Sequence, residues 1–112
     1  MDKNEGKNAT VTDMEGKTFM AGRMSSGVDN ELRVDTGGGM INVRLSQAQS
    51  IEFGEKQLGR LNVTITLAGG KEISGTISSG TVFEFMDAGN VGQVVTVRAA
   101  ELNTVSFERE KQ

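Results

Sequence analysis

Along most of this chain apolar and polar residues alternate with a period of two. Val63, Ile65 and Leu67 are interleaved with Asn62, Thr64 and Thr66, so a strand there has one apolar face and one polar face. Gly69 and Gly70 follow as a turn, and Ile73, Gly75 and Ile77 continue the inward face on a second strand. Gly75, lacking a side chain, suits a sharp bend or the close crossing of another strand. The same rhythm predicts strands at about 82–86, 94–98 and 104–107, with a turn at 87–92 and one 3₁₀ turn over 99–102. Nearer the N-terminus it predicts strands at about 9–13, 18–25, 31–35, 40–45 and 50–53, with a turn at 46–49 before the last.

These two sets of strands share their punctuation. Residues 14–27 read MEGKTFMAGRMSSG and residues 67–80 read LAGGKEISGTISSG, an offset of 53 that lays Gly16, Gly22, Ser25, Ser26 and Gly27 on Gly69, Gly75, Ser78, Ser79 and Gly80. Met14, Met20 and Met24 fall on Leu67, Ile73 and Ile77. From residue 37 to residue 53 the offset is 54, pairing Gly38, Val43, Arg44 and Phe53 with Gly92, Val97, Arg98 and Phe107, and Ile41 and Ile51 with Val95 and Val105. One residue is gained between Val28 and Thr36, where a hairpin loop tolerates insertion and a strand does not. Agreement of turns and apolar phase at a nearly fixed offset marks one structural unit used twice.

The expected fold is therefore all-β, with two tandem five-stranded modules related by a pseudo-two-fold. Module 1 spans 9–53 and module 2 spans 61–107; a connector covers 54–60, with a polar tail at 1–8 and a charged tail at 108–112. Units of this size are too small to be comfortably stable alone, so the two are expected to pack together or share strands.

Five short strands with a helical turn before the fifth resemble the layout of SH3-like and Sm-like barrels. In the second repeat Leu67, Gly70, Gly75 and Ile77 resemble the first Sm motif, and Val97, Arg98, Ala99 and Leu102 the second, with Ala99, like Leu45 in the first repeat, where that motif has Gly. This resemblance implies a barrel fold and, as one alternative function, RNA binding through Arg44 and Arg98 with Asp29 and Asn30 in the neighbouring loop. The succession of an apolar strand, Gly-Lys, Gly-x-Ile, Val-x-Val and Val-x-Phe is also similar to short modules of bacterial envelope proteins of unknown function. That similarity implies an exported location and a role in assembly or protein contact.

Composition narrows the chemistry. The 112 residues carry a net charge of −3, a poor match for phosphate backbones, which are bound by clustered Lys and Arg. There is no Cys and no His, which removes disulfides, thiolate metal sites, ordinary zinc sites and every nucleophile that depends on an imidazole base. No cofactor is expected. With neither Trp nor Tyr, stacking would rest on Phe19, Phe53, Phe83, Phe85 and Phe107. No apolar run approaches the length of a membrane span and residues 1–8 lack the apolar stretch of a signal peptide, while the Gly, Ser and Thr content suits a periplasmic or envelope protein.

Several local patterns invite sharper readings. Asp35-Thr36-Gly37 spells the active-site triplet of aspartic proteases, with Asp87-Ala88-Gly89 as a near copy, so a small aspartic protease using Asp35 is a second alternative. Asp and Gly between two strands are also what hairpin turns require. Gly37, Gly38 and Gly39 have neither the Lys nor the following helix of a phosphate loop. Asp29, Glu31, Asp35, Glu84 and Asp87 have no Ca²⁺-loop spacing and read as a solvated face. Arg44 and Arg98 recur beside Val43 and Val97 and are the candidate contacts for an acidic partner, or else surface ion pairs within each module. The expectation is a non-enzymatic structural or protein-interaction module that meets a protein partner or itself, with nucleic acid and membrane insertion disfavoured.

Overall fold

Period-two alternation becomes ten strands: β1 (Ala9–Asp13), β2 (Thr18–Ser25), β3 (Glu31–Asp35), β4 (Met40–Arg44), β5 (Ala48–Gln57), β6 (Arg60–Leu67), β7 (Glu72–Ser78), β8 (Val82–Asp87), β9 (Val94–Arg98) and β10 (Leu102–Phe107). The structure, a computed structural model, describes residues 8–26, 30–87 and 93–107, and of Asp87 only the backbone. The tails at 1–7 and 108–112, Asp29 and most of the turn expected at 87–92 lie outside the described residues. The predicted strands at 9–13, 18–25, 31–35 and 94–98 have those bounds. Single 3₁₀ turns at Leu45–Gln47 and Ala99–Glu101 precede β5 and β10.

One boundary differs clearly. The segment read as a connector, 54–60, is the end of β5, a two-residue turn and the start of β6, because Lys56 pairs with Leu61 and Gln57 with Arg60. Leu58 and Gly59 take φ of 49° and 79°, the doubly left-handed pair of a tight hairpin whose twist matches that of the strands.

All ten strands form one antiparallel sheet in the order β4-β3-β7-β6-β5-β10-β1-β2-β8-β9. Strands joined by short links are thus not always neighbours. β3 pairs with β7 through Asp35 and Thr76, and β2 pairs with β8 through Ala21–Asp87, Gly22–Met86 and Ser25–Glu84. Among the described residues the sheet is not closed into a barrel, and the two tandem barrels expected from the sequence are not seen as closed units; β4 and β9 stand at its two ends.

Glycine marks both crossings. A Cβ on Gly75 would collide with the Asp35 carbonyl oxygen and lie 2.8 Å from the Val34 side chain; one on Gly22 would meet the Met86 carbonyl at 3.3 Å. The close crossing foreseen at Gly75 is therefore present, and the crossing strand is β3. Ser26, a buried polar residue, ties the second crossing by donating from Oγ to the Val82 carbonyl at 2.8 Å. Across β6 and β7, the Arg60 guanidinium donates to the Thr76 hydroxyl at 3.2 Å and to the Thr76 carbonyl at 3.0 Å.

Inward residues from both ends of the sheet meet in one core, which includes Val11, Met24, Leu32, Val34, Ile51, Ile65, Ile77, Phe83, Leu102 and Val105. The Phe53 and Phe83 rings lie edge to face with centroids 6.1 Å apart. Their strands are four steps apart in the order, about 19 Å in a flat sheet at normal strand spacing. The sheet therefore curls so that β5 and β8 face each other across the core. Burying a phenylalanine in this way is worth about 3–5 kcal/mol against alanine.

Candidate functional site

Asp35 ends β3 at the lip of the β3–β4 hairpin. Its carboxylate accepts the Gly37 N–H at 3.0 Å, and the Thr36 N–H and hydroxyl both reach the Gly39 carbonyl, at 2.9 and 3.1 Å. Asp13 does the same work in the β1–β2 turn, where its carboxylate accepts the N–H groups of Glu15 and Lys17 at 2.9 Å. Six strands separate β3, which carries Asp35, from β8, which carries Asp87, in the sheet order. In strand register the residue of β8 that corresponds to Asp35 is Met86: Asp35 lies opposite Met40, and Met86 opposite Val94. Gly37 to Gly39 form the hairpin loop itself, with no helix behind them.

A shallow open groove of about 590 Å³ lies over the crossing of β3 and β7, lined by Asp35, Thr36, Asn62, Thr64, Ser74 and Thr76 among others. Asp35 is its single charged lining residue, so the groove offers hydroxyl and amide contacts and no acid–base pair. Among the described residues no three carboxylates gather as a metal-holding set. No helix among them is long and apolar enough to cross a membrane.

The features suggested by the RNA alternative are dispersed. Phe53, Phe83, Phe85 and Phe107 are buried, and Phe19 packs on Phe85 with ring centroids 5.5 Å apart, so aromatic faces are spent on the core. Asn30 holds its own loop together: its side-chain oxygen accepts the Ser26 N–H at 3.0 Å and its carbonyl accepts the Leu45 N–H at 3.0 Å. Arg44 and Arg98 end β4 and β9, on the outward face as the alternation predicts. Arg44 is 3.6 Å from the Glu31 carboxylate across the β3–β4 ladder, the surface ion pair anticipated as its plainer role. Arg98 is opposite Val82.

What the topology assembles instead, among the described residues, is a sheet with two open edges. β4 and β9 are each five residues long; Met40 is 47%, Ile41 39% and Val94 63% accessible, while Val43 is buried and Val95 and Val97 are half-buried against the core. Their sequences, MINVR and VVTVR, contain no Pro, no Gly and no charge before the final Arg. Natural proteins usually blunt an edge with Lys, Pro, a bulge or an inward charge, and neither β3–β4 nor β8–β9 carries a register shift. The sequence marked these as strands. It did not say which strands would be the edges, since period two reports the inward face and not the neighbour.

No protein-family model, no curated protein and no solved structure matches this chain.

Proposed function

We propose that the chain is a non-catalytic protein-interaction module, an assembly component of the cell envelope, which works by adding neighbouring strands to its two sheet edges. The observation that carries this reading is that β4 and β9 end the sheet among the described residues and carry no charge before their final Arg. In this reading the chain is a fused pair of SH3/Sm-like units with pseudo-two-fold symmetry. Three correspondences support that. Advancing each strand number by five, with β6 to β10 returning to β1 to β5, reverses the sheet order onto itself. The Leu45 N–H bonds to the Asn30 carbonyl as Ala99 N–H does to Thr81, at 3.0 and 2.8 Å. The Ala68 N–H bonds to Gln47 as Met14 N–H does to Glu101, at 2.9 and 3.0 Å. Each five-strand half then takes its third, fourth and fifth strands from one unit and its first and second from the other. Arg44 and Arg98 flank the two edges and would meet acidic groups of a partner.

Titration with a soluble peptide of alternating Val and Thr, followed by amide exchange, tests the reading. Slowed exchange confined to Met40–Arg44 and Val94–Arg98 is the expected result. Unchanged exchange at both edges would overturn it.

A further inference from the structure

We infer that the strand each edge takes is the opposite edge of a second copy of this chain, so that β9 of one copy pairs with β4 of the next. The inference rests on the strand-addition reading above and names its partner. Nine antiparallel steps separate β4 from β9, so the two edges run in opposite directions. A second copy placed beside the first by translation and twist alone therefore offers β4 antiparallel to β9, and the ten-stranded order continues unbroken.

Side chains fix the register. With Thr96 opposite Asn42 of the next copy, Val97 lies opposite Ile41 and Val95 opposite Val43, all on the inward face; a one-residue slip would set those inward valines against outward residues of the next copy. The same register keeps Arg98 opposite Met40 and Arg44 opposite Val94, so no two arginines face each other. A parallel arrangement in the equivalent register would set Arg44 against Arg98.

Charge chooses head-to-tail over symmetric pairing. On the outward face Glu84 lies beside Thr96, and Arg33 beside Asn42. Head-to-tail contact makes the row Glu84, Thr96, Asn42, Arg33, with opposite charges reaching over two short side chains across about 14 Å of strand spacing. Pairing β4 with β4 would instead give Arg33 at both ends of the row, and β9 with β9 would give Glu84 at both. A heterologous contact of this kind leaves a free edge at each end and propagates as an open chain of copies. The seam is only five residues long, so growth depends on protein concentration.

The test is light scattering on the full chain and two blocked variants, M40K/N42K at β4 and V94K/T96K at β9, whose substituted side chains are solvent-exposed; circular dichroism checks that each stays folded. Wild type should grow past a dimer as concentration rises. Each variant alone should remain a monomer, and an equimolar mixture should form a dimer through the one intact β9 and the one intact β4. A dimer of either variant by itself would overturn the head-to-tail inference in favour of symmetric pairing. A wild type that stays monomeric overturns it too. If that monomer still protects its edges on the Val/Thr peptide, strand addition stands without self-assembly; if it does not, both readings fall. As a second measurement, E84R and R33E should each weaken assembly by about two- to five-fold, and the double variant should recover it. No recovery would count against the charge row.

Discussion

The ladders β5–β6 and β1–β10 occupy matching places on either side of the sheet's centre, yet one is a hairpin and the other joins residues near opposite ends of the described chain. β5–β6 is linked by Leu58 and Gly59 and runs from Ala48–Leu67 to Gln57–Arg60. β1–β10 has no link, and runs from Ala9–Phe107 to Asp13–Leu102 with a register shift at its end. A short link lowers the entropic cost of closing a ladder, so the outer part of β5–β6 persists with Glu55, Lys56 and Gln57 all exposed. The unlinked ladder must instead be held by its side chains. Ala9, Val11, Val105 and Phe107 are all buried, the first three completely.

The strongest way to break this comparison is Val11→Asp. An unpaired carboxylate in the unlinked ladder should cost more than about 4 kcal/mol and unfold the chain by circular dichroism, whereas Glu55→Ala on the linked ladder should be silent. Next come the crossings. Gly75→Ala should lower stability in urea by about 1–3 kcal/mol, since its Cβ meets backbone, while Gly22→Ala should cost under about 1 kcal/mol; equal losses would remove the distinction between the two crossings. Native-state hydrogen exchange should find the Val11 amide opening before that of Ile65, and equal protection would mean that the covalent link contributes nothing. At the hairpin itself, Leu58→Asn should stabilise by about 0.5–1 kcal/mol, because Asn tolerates the left-handed φ that Leu58 adopts while fully exposed. The smallest effect is expected for Arg44→Ala, below about 0.5 kcal/mol in the same urea assay, as its ion pair with Glu31 is open to solvent.

Strand positions were legible because inward residues such as Val63, Ile65 and Ile77 alternate with polar ones over short segments bounded by glycine. The outer half of β5 was not, since Gly54 to Gln57 is polar enough to pass for a loop and its turn uses a leucine where turn chemistry favours Asn. Strand partners were illegible for a different reason. The links at 26–30 and 79–81 are as short as hairpin loops, so β2–β3 and β7–β8 look like natural neighbours, and only the glycines at 22 and 75 hint at other strands crossing there. The register also revises the single-residue gain read in the proposed repeat. By their places in the ladders Val11 matches Ile65 and Phe19 matches Ile73, an offset of 54 that puts Met14 on Ala68 and Met20 on Ser74, and Leu32 matches Phe83, so three residues are lost before β3 and three gained after it. For the candidate site, the outward direction of Arg44 and Arg98 followed from alternation. Their position at the two edges required the strand order.

That order is most directly tested by backbone nuclear Overhauser effects in the wild-type chain. Cross-strand contacts between Asp35 and Thr76, and between Gly22 and Met86, with none linking β2 to β3 or β7 to β8, are the predicted result. Ladders joining β2 to β3 and β7 to β8 would mean two self-contained modules in tandem, and would contradict the single sheet whose ends are β4 and β9.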